Sequence, residues 1–147
     1  MNVTRKSSYG LIAAMELAQC SPDDPRSASS IADQYELPAP FMEKILHELR
    51  KAGLVRSKQG CAGGYYLARS AESVSVRDVL EALGESLDLV KCLGAASECT
   101  LGSSCPTQAA WRQVDVRLKS LLDSMSLQSL LDAKQEPSKA VEGRLAA

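Results

Sequence analysis

The sequence is poor in aromatic residues and contains a single histidine. Aromatic side chains make up 4% of its 147 residues, so a core has to be built mainly from Leu, Ala, Val and Ile. No Ser/His, Cys/His or paired-carboxylate arrangement stands out around the lone histidine, His47. The residue types therefore argue against an enzyme.

Long apolar runs are also missing. No segment approaches the ~20 apolar residues that span a bilayer. The N-terminal stretch is basic and then apolar, but Glu16 interrupts it and no small-residue cleavage site follows, so it predicts a helix rather than a signal peptide. We expect a cytoplasmic protein with no membrane partner, whose five cysteines stay reduced. Their odd number also argues against a disulfide framework.

The charge is unevenly distributed, although the net charge is −1. Residues 38–69 carry six basic and two acidic side chains, whereas the rest of the chain is mildly acidic. A solvated helix face is the ordinary interpretation of such a segment. DNA binding is favoured only if the basic residues fall on a nucleic-acid-binding element.

The order of predicted elements supplies such an element. Apolar periodicity and capping residues predict helices over residues 2–20, 27–37 and 40–52, followed by strands at 54–57 and 65–68 around a glycine-rich turn. Another helix starts after Ser75. This order is typical of a winged helix-turn-helix, placed at 1–80, with the helix at 40–52 in the major groove of DNA.

The candidate DNA contacts lie at the start of that helix and on the wing. Pro38, Pro40 and Phe41 suit apolar contacts with thymine methyls or sugars, Glu43 suits a cytosine amino group, and Lys44 suits guanine or phosphate. The basic Lys58 lies at the start of the wing tip. Cys61 at that tip is interpreted as a tolerated small residue or, less simply, as a thiol that responds to oxidation.

Three further cysteines, Cys92, Cys99 and Cys105, are spaced C-x6-C-x5-C among small and polar residues, within a segment placed at 81–108 that includes a linking helix. The segment has too little apolar cover to bury them. Thiolates select zinc, copper(I) or iron–sulfur clusters. Structural zinc sites usually contain close C-x2–4-C pairs, and these cysteines form none, so an iron–sulfur cluster is favoured over zinc or thiols alone.

A long apolar stripe follows the cysteines. Its members recur at intervals of three and four and continue to about Leu131; they include Trp111, Val114, Leu118, Leu121, Leu122 and Met125. The stripe has no obvious partner within the chain, so residues 109–133 are predicted to form one helix that pairs with a second copy. The polar segment 134–147 is predicted to be a disordered tail. The fold class is therefore mainly α with a small β-wing and a long C-terminal dimerisation helix.

The winged helix, the three-cysteine loop and the long helix beginning near Trp111 and Arg112 together resemble the Rrf-two family of iron–sulfur transcription regulators, and IscR-like members most, over roughly residues 1–131. The resemblance implies a homodimer on a partly palindromic double-stranded DNA operator, with a cluster held by the three cysteines of the loop. It also implies DNA contacts at Pro38, Pro40, Phe41, Glu43, Lys44 and Gln59. A 2Fe–2S cluster is favoured, and a 4Fe–4S cluster is the alternative.

The fourth cluster ligand departs from the family pattern. IscR-like members use a histidine where this chain has Gln108, and NsrR-like members use an acidic residue of the partner subunit where this chain has Ser8. RirA-like members also lack an obvious fourth ligand. Gln108 and Ser8 are both weak iron ligands, which implies a labile cluster.

The resulting hypothesis is a cluster-sensing transcriptional repressor of genes for iron–sulfur biogenesis, iron homeostasis or redox stress. One alternative keeps the winged helix but makes the cysteines a cluster-free thiol redox switch. A second alternative is an iron–sulfur carrier or electron-transfer protein.

Overall fold

The structure, a computed structural model, describes residues 3–94 and 99–135. Most of the predicted tail, residues 136–147, lies outside them. The main elements are helices and one pair of antiparallel strands: α1 Arg5–Leu17, α2 Ala28–Gln34, α3 Ala39–Lys51, β1 Val55–Lys58, β2 Gly64–Leu67, α4 Val76–Ala82, α5 Gln108–Ser124 and α6 Leu127–Gln135. Short 3-10 turns lie at Ala71–Ser73, Lys91–Leu93 and Gly102–Ser104. The predicted fold class, mainly helical with a two-stranded wing, is confirmed.

Helices α1 to α3 pack around one apolar core. The stripe predicted on α3 is buried throughout, namely Met42, Ile45, Leu46 and Leu49. A tight turn joins α2 to α3, in which Glu36 has a φ of 53° and Leu37 N–H donates to the Ala32 carbonyl at 2.8 Å. The apolar stripe therefore fixes α3 against α1 and α2 and leaves its opposite face exposed.

The end of α3 leads directly into the wing. Gly53 has a φ of 79°, a conformation that glycine adopts at little cost, and Leu54 N–H donates back to the Leu49 carbonyl at 3.0 Å. Strands β1 and β2 then pair from Val55↔Leu67 to Lys58↔Gly64. Strand β1 starts one residue after the predicted position and β2 one residue before it.

The predicted single helix over 109–133 is wrong. Helix α5 ends at Ser124, and Met125 is extended, with a φ of −90° and a ψ of 99°. The reason is a backbone pairing with residues 74–76, at the start of α4, since Val76 N–H donates to the Met125 carbonyl at 2.8 Å and Leu127 N–H donates to the Val74 carbonyl at 2.9 Å. The serine that follows Met125 caps the new helix, which begins at Leu127.

Helix α6 returns to the core, so part of the apolar stripe does have an internal partner. Leu127 is fully buried in the core formed by α1 to α3, and Leu131 is also buried. Leu122 and Met125 pack in a smaller cluster with Val76 and Leu80 of α4. Helix α4 spans residues 76–82, so the predicted domain boundary at residue 80 falls inside it.

No helix in the described ranges is long and apolar enough to cross a membrane.

Candidate DNA interface and cysteine loop

A groove of about 820 Å³ runs between α3, the start of α2 and the wing. It contains five of the seven residues predicted to contact DNA: Pro40, Glu43, Lys44, Lys58 and Gln59. The core stripe of α3 turns the first three outward, and the β1–β2 pairing brings the last two beside them. The fold thus assembles one surface from positions 40–44 and 58–59, which are separate in sequence.

The other two predicted residues, Pro38 and Phe41, do not line this groove. Pro38 is exposed at the N-terminal cap of α3. Phe41 is half-buried, and its ring packs edge-on against Tyr9 with 5.7 Å between centroids. An edge-to-face pair of this kind stabilises the packing of α1 against α3. A DNA contact by either residue stays a prediction.

The groove also contains residues that the sequence interpretation missed. Ser27 and Ser29 lie at the start of α2, and Ser57 and Tyr65 lie on the two strands. Arg50, from the end of α3, donates to the Ser57 hydroxyl at 3.1 Å and so bridges helix and wing. A local motif does not reveal this set, because only the closure of the wing onto α2 and α3 brings the residues together.

The cations of the groove have few acidic partners. Among the described residues, neither Lys44 nor Arg50 forms a salt bridge, whereas Arg26, Arg77 and Lys119 all do. Lys58 donates to a backbone carbonyl, that of Pro22, at 3.2 Å. Exposed cations without carboxylate partners are available to neutralise phosphate groups, and this supplies affinity for DNA of any sequence.

The cysteine loop contains the residues that could hold a metal cluster. Its three cysteines are free thiols: Cys92 lies in a 3-10 turn, Cys99 is exposed and Cys105 is half-buried before α5. The donor set suits an iron–sulfur cluster chemically. Within residues 3–94 and 99–135, however, no three Cys, His, Asp or Glu side chains are grouped closely enough to hold a metal ion.

Cys105 differs from the other two thiols in its environment. Its Sγ lies 3.3 Å from the Thr107 hydroxyl oxygen. Hydrogen bonding, first from the Thr107 side chain and then from backbone N–H groups, lowers the pKa of the Cys105 thiol. The thiolate is the form that binds soft metals and reacts with oxidants, so the lowered pKa favours the reactive form of Cys105.

The two weak candidates for the fourth ligand occupy separate elements. Gln108 is the first residue of α5, is half-buried, and its N–H donates to the Cys105 carbonyl at 3.3 Å. Ser8 is exposed on α1, and its hydroxyl donates to the Thr4 carbonyl at 3.3 Å. A role for either residue as an iron ligand stays a prediction.

Helix α5 anchors the segment that enters the loop. The buried carboxylate of Asp115 accepts from the Leu89 N–H at 2.9 Å and from Lys119 at 2.9 Å, and Lys119 also contacts Asp88 at 2.8 Å. Lys119 first and the Leu89 N–H second lower the pKa of Asp115, and the two carboxylates raise the pKa of Lys119. The chain is therefore attached to α5 three residues before Cys92.

Another face of α5 is apolar and exposed. Trp111, Val114 and Leu121 retain 42%, 46% and 56% of their accessible surface. These are the residues predicted to meet a second copy, and helical spacing places them on one side of α5.

The known proteins that are similar to this chain are transcriptional regulators. Residues 3–133 match the Rrf2 family, described as an iron-dependent transcriptional regulator. The HTH-type transcriptional regulator IscR of Xenorhabdus nematophila is 35% identical over 131 residues, which cover 89% of this chain and 79% of that protein. The predicted resemblance to IscR-like regulators is therefore confirmed.

Two solved structures extend the comparison. IscR of T. potens has a TM-score of 0.71 and 32% identity, covering 95% of this chain and 93% of that one. CymR, the global cysteine regulator of B. subtilis, has a TM-score of 0.74 and 27% identity, covering 90% and 98%. These relatives are regulators and not enzymes, as the residue types led us to expect. The chain belongs to the Rrf2 family of transcriptional regulators.

Proposed function

We propose that this protein is an iron–sulfur-cluster-sensing repressor that binds a partly palindromic DNA operator as a homodimer. DNA-binding regulation follows from the family, and the groove between α3 and the wing is the surface suited to it. The cofactor rests on one observation: three free thiols lie between the winged helix and α5, on a segment attached to α5 through Asp115. A protein bound to chromosomal DNA would act in the cytoplasm.

Cys92, Cys99 and Cys105 would hold the cluster, with 2Fe–2S favoured and 4Fe–4S as the alternative. When bound, the cluster supplies a chemistry that responds to iron supply and to oxidants. Gln108 or Ser8 of the partner subunit would complete the ligand set weakly. The expected targets are genes for iron–sulfur biogenesis, iron homeostasis or redox stress.

The dimer explains how a change at the loop would reach DNA. The apolar face of α5 would join two copies, and each copy presents one groove to half of the operator. Half-sites lie about one helical turn apart, so a small change in the spacing of the two α3 helices alters the fit. A coupling of about 1–3 kcal/mol, typical of allostery, changes affinity ~5–150-fold.

The test is to purify the protein without oxygen, measure its visible absorbance, iron and sulfide, and compare operator binding before and after cluster removal. The expected result is a coloured protein whose operator affinity or site preference changes when the cluster is lost. A colourless, iron-free protein with a full operator response would contradict the cofactor assignment.

A thiol redox switch is the second candidate function. It is supported by the lowered pKa of Cys105, by the exposure of Cys99 and Cys61, and by the structural similarity to CymR. In that case, iron-free protein should lose or gain operator binding on treatment with hydrogen peroxide, and dithiothreitol should reverse the change. The carrier hypothesis finds no support among the relatives.

A further inference from the structure

The segment before α2 forms a third backbone partner of the wing. Arg26 N–H donates to the Tyr65 carbonyl at 2.9 Å, and Tyr65 N–H donates to the Arg26 carbonyl at 2.7 Å. Among the described residues, this reciprocal pair is the backbone β-bridge between the wing and another part of the chain, and the side-chain bonds of Arg50 to Ser57 and of Lys58 to Pro22 add to it. The position of β2 relative to the helices therefore depends in part on where Arg26 lies, beside the pairing with β1 and the packing of Tyr65 and Leu67 on the core.

The Arg26 side chain is bonded to two helices. Its guanidinium donates to Glu16 of α1 at 2.8 Å and to Gln34 of α2 at 2.6 Å. The Glu16 carboxylate is buried with 6% of its surface exposed, and its other oxygen accepts from the Tyr35 hydroxyl, which raises the pKa of Tyr35. A buried carboxylate that lost its cationic partner would be strongly unfavourable, so the pair keeps Arg26 in place.

Gly64 of the wing packs closely against the backbone of Arg26, which limits how far the wing can move relative to the segment before α2. A Cβ atom added at Gly64 would lie 2.5 Å from the carbonyl carbon of Arg26, so only glycine permits this approach. Ser27, the next residue after Arg26, caps α2 through the Ser30 N–H at 3.1 Å and lines the groove. The α2 wall and the wing wall of the groove thus meet at Arg26, which does not line the groove itself.

We propose that Arg26 is a positioning residue for operator binding, which sets the separation between the wing and the α2–α3 pair without contacting DNA. Lys58 and Gln59 can reach an adjacent groove or the phosphate backbone while Lys44 lies in the major groove only if that separation is fixed. The inference rests on the operator binding in the proposed function and does not depend on the cluster.

The test uses a labelled duplex that the wild-type protein selects from a random-sequence library, and an unrelated duplex of equal length. Fluorescence anisotropy measures the affinity for each duplex over a range of KCl concentrations. Arg26→Met should weaken binding to the selected duplex by about 2- to 30-fold, the range expected for a residue that acts without touching the ligand. The unrelated duplex should be bound nearly as before, and the salt slope should not change.

Lys44→Met is the matched control, because Lys44 lies in the groove and has no acidic partner. It should weaken binding to both duplexes and reduce the slope of log affinity against log salt by about 1.8 for a homodimer, since each of two phosphate contacts contributes about 0.9. If Arg26→Met gave the same loss of slope, Arg26 would be a direct DNA contact and the inference would be wrong. An unchanged affinity for the selected duplex would also overturn it.

Two further variants guard against misfolding of Arg26→Met, which leaves Glu16 buried without its cation. The double variant with Glu16→Gln removes that charge as well and should show the same selective loss. Gly64→Ala leaves both charges in place and moves the wing through the contact described above, so it should also weaken selected binding at constant salt slope. If neither variant shows this loss, the inference fails. A wild-type protein that selects no duplex would instead overturn operator binding and this inference together.

Discussion

The winged helix and the α5 region differ in how they are held together. Helix α3 buries four apolar side chains over 13 residues, and its opposite face lines the groove between α3 and the wing. Helix α5 is longer, with 17 residues, but its one buried residue is the charged Asp115. The cysteines precede it on a loop of short turns, and large apolar side chains of α5 face solvent.

This difference indicates how each region obtains its final shape. The winged helix places the side chains predicted to contact DNA on elements that a core already fixes, so this surface is pre-organised. The thiols and the apolar face of α5 lack such support within the described chain. We infer that this region takes its packing from what it binds, a second copy along α5 and a cofactor at the thiols.

The largest effect is expected when a cysteine of the loop is replaced and the bound cluster is lost. Cys99→Ala should abolish the visible absorbance and the bound iron of anaerobically purified protein, because a thiolate ligand is lost, and Cys92→Ala and Cys105→Ala should do the same. Cys99 is exposed, so its replacement should leave folding unchanged. Cys61→Ala is the matched control, since Cys61 is an equally exposed thiol on the wing. If it bleached the protein as strongly, the ligand assignment would be wrong.

The winged helix could be predicted from the sequence because its signals are local and agree. The apolar stripe of α3, Pro40 in its first turn and Gly53 after its end specify one helix. The break at Met125 could not be predicted in the same way. The apolar period runs on into α6, and the helix ends because residues 125–127 pair with 74–76, about 50 positions earlier.

The candidate site also contains residues that could be predicted from the sequence and residues that could not. Glu43, Lys44 and Gln59 were identified from helix position and family resemblance, and the groove contains them. The roles of Arg26 and Asp115 depend on contacts with residues 39 and 26 positions away, which no local pattern encodes. The assignment of the cysteines as cluster ligands rests on residue type and spacing.

Leu127 offers the next test, because its side chain packs α6 into the core of the winged helix and not against α5. Leu127→Ala should lower the free energy of unfolding by about 2–5 kcal/mol in urea denaturation, because it creates a cavity in the core. Leu101→Ala removes a side chain that is 58% exposed and should change stability by less than about 0.5 kcal/mol. If the helix instead ran on through residue 127 and paired with a second copy, Leu127→Ala would weaken the dimer and leave the stability of the protomer unchanged.

A smaller effect is expected on the exposed face of α5. Leu121→Asn should weaken the dimer by about 1.5–3 kcal/mol per side chain, the value of burying a leucine, as measured by sedimentation velocity over a range of concentrations. Val116→Asn is the control, because Val116 is 60% exposed but lies on a different side of the helix. Equal effects of both variants, or none from Leu121→Asn, would contradict the assignment of this face to the second copy.

The smallest effect concerns the attachment of the loop through Asp115. Because Lys119 and the Leu89 N–H lower the pKa of Asp115 below its ordinary value of 3.8, the ionised carboxylate stabilises the folded chain above that value. The stabilisation is lost as the pH falls through the lower folded pKa. Asp115→Asn keeps an acceptor for Leu89 and leaves Asp88 as a partner of Lys119, so it should destabilise the protein at neutral pH by less than the substitutions above. Urea denaturation should show the difference from wild type shrinking as the pH falls below 3.8 and Asp115 becomes protonated. A difference that grew towards acid pH would mean that Asp115 is buried at a net cost, and its carboxylate would then not stabilise the attachment of the cysteine loop.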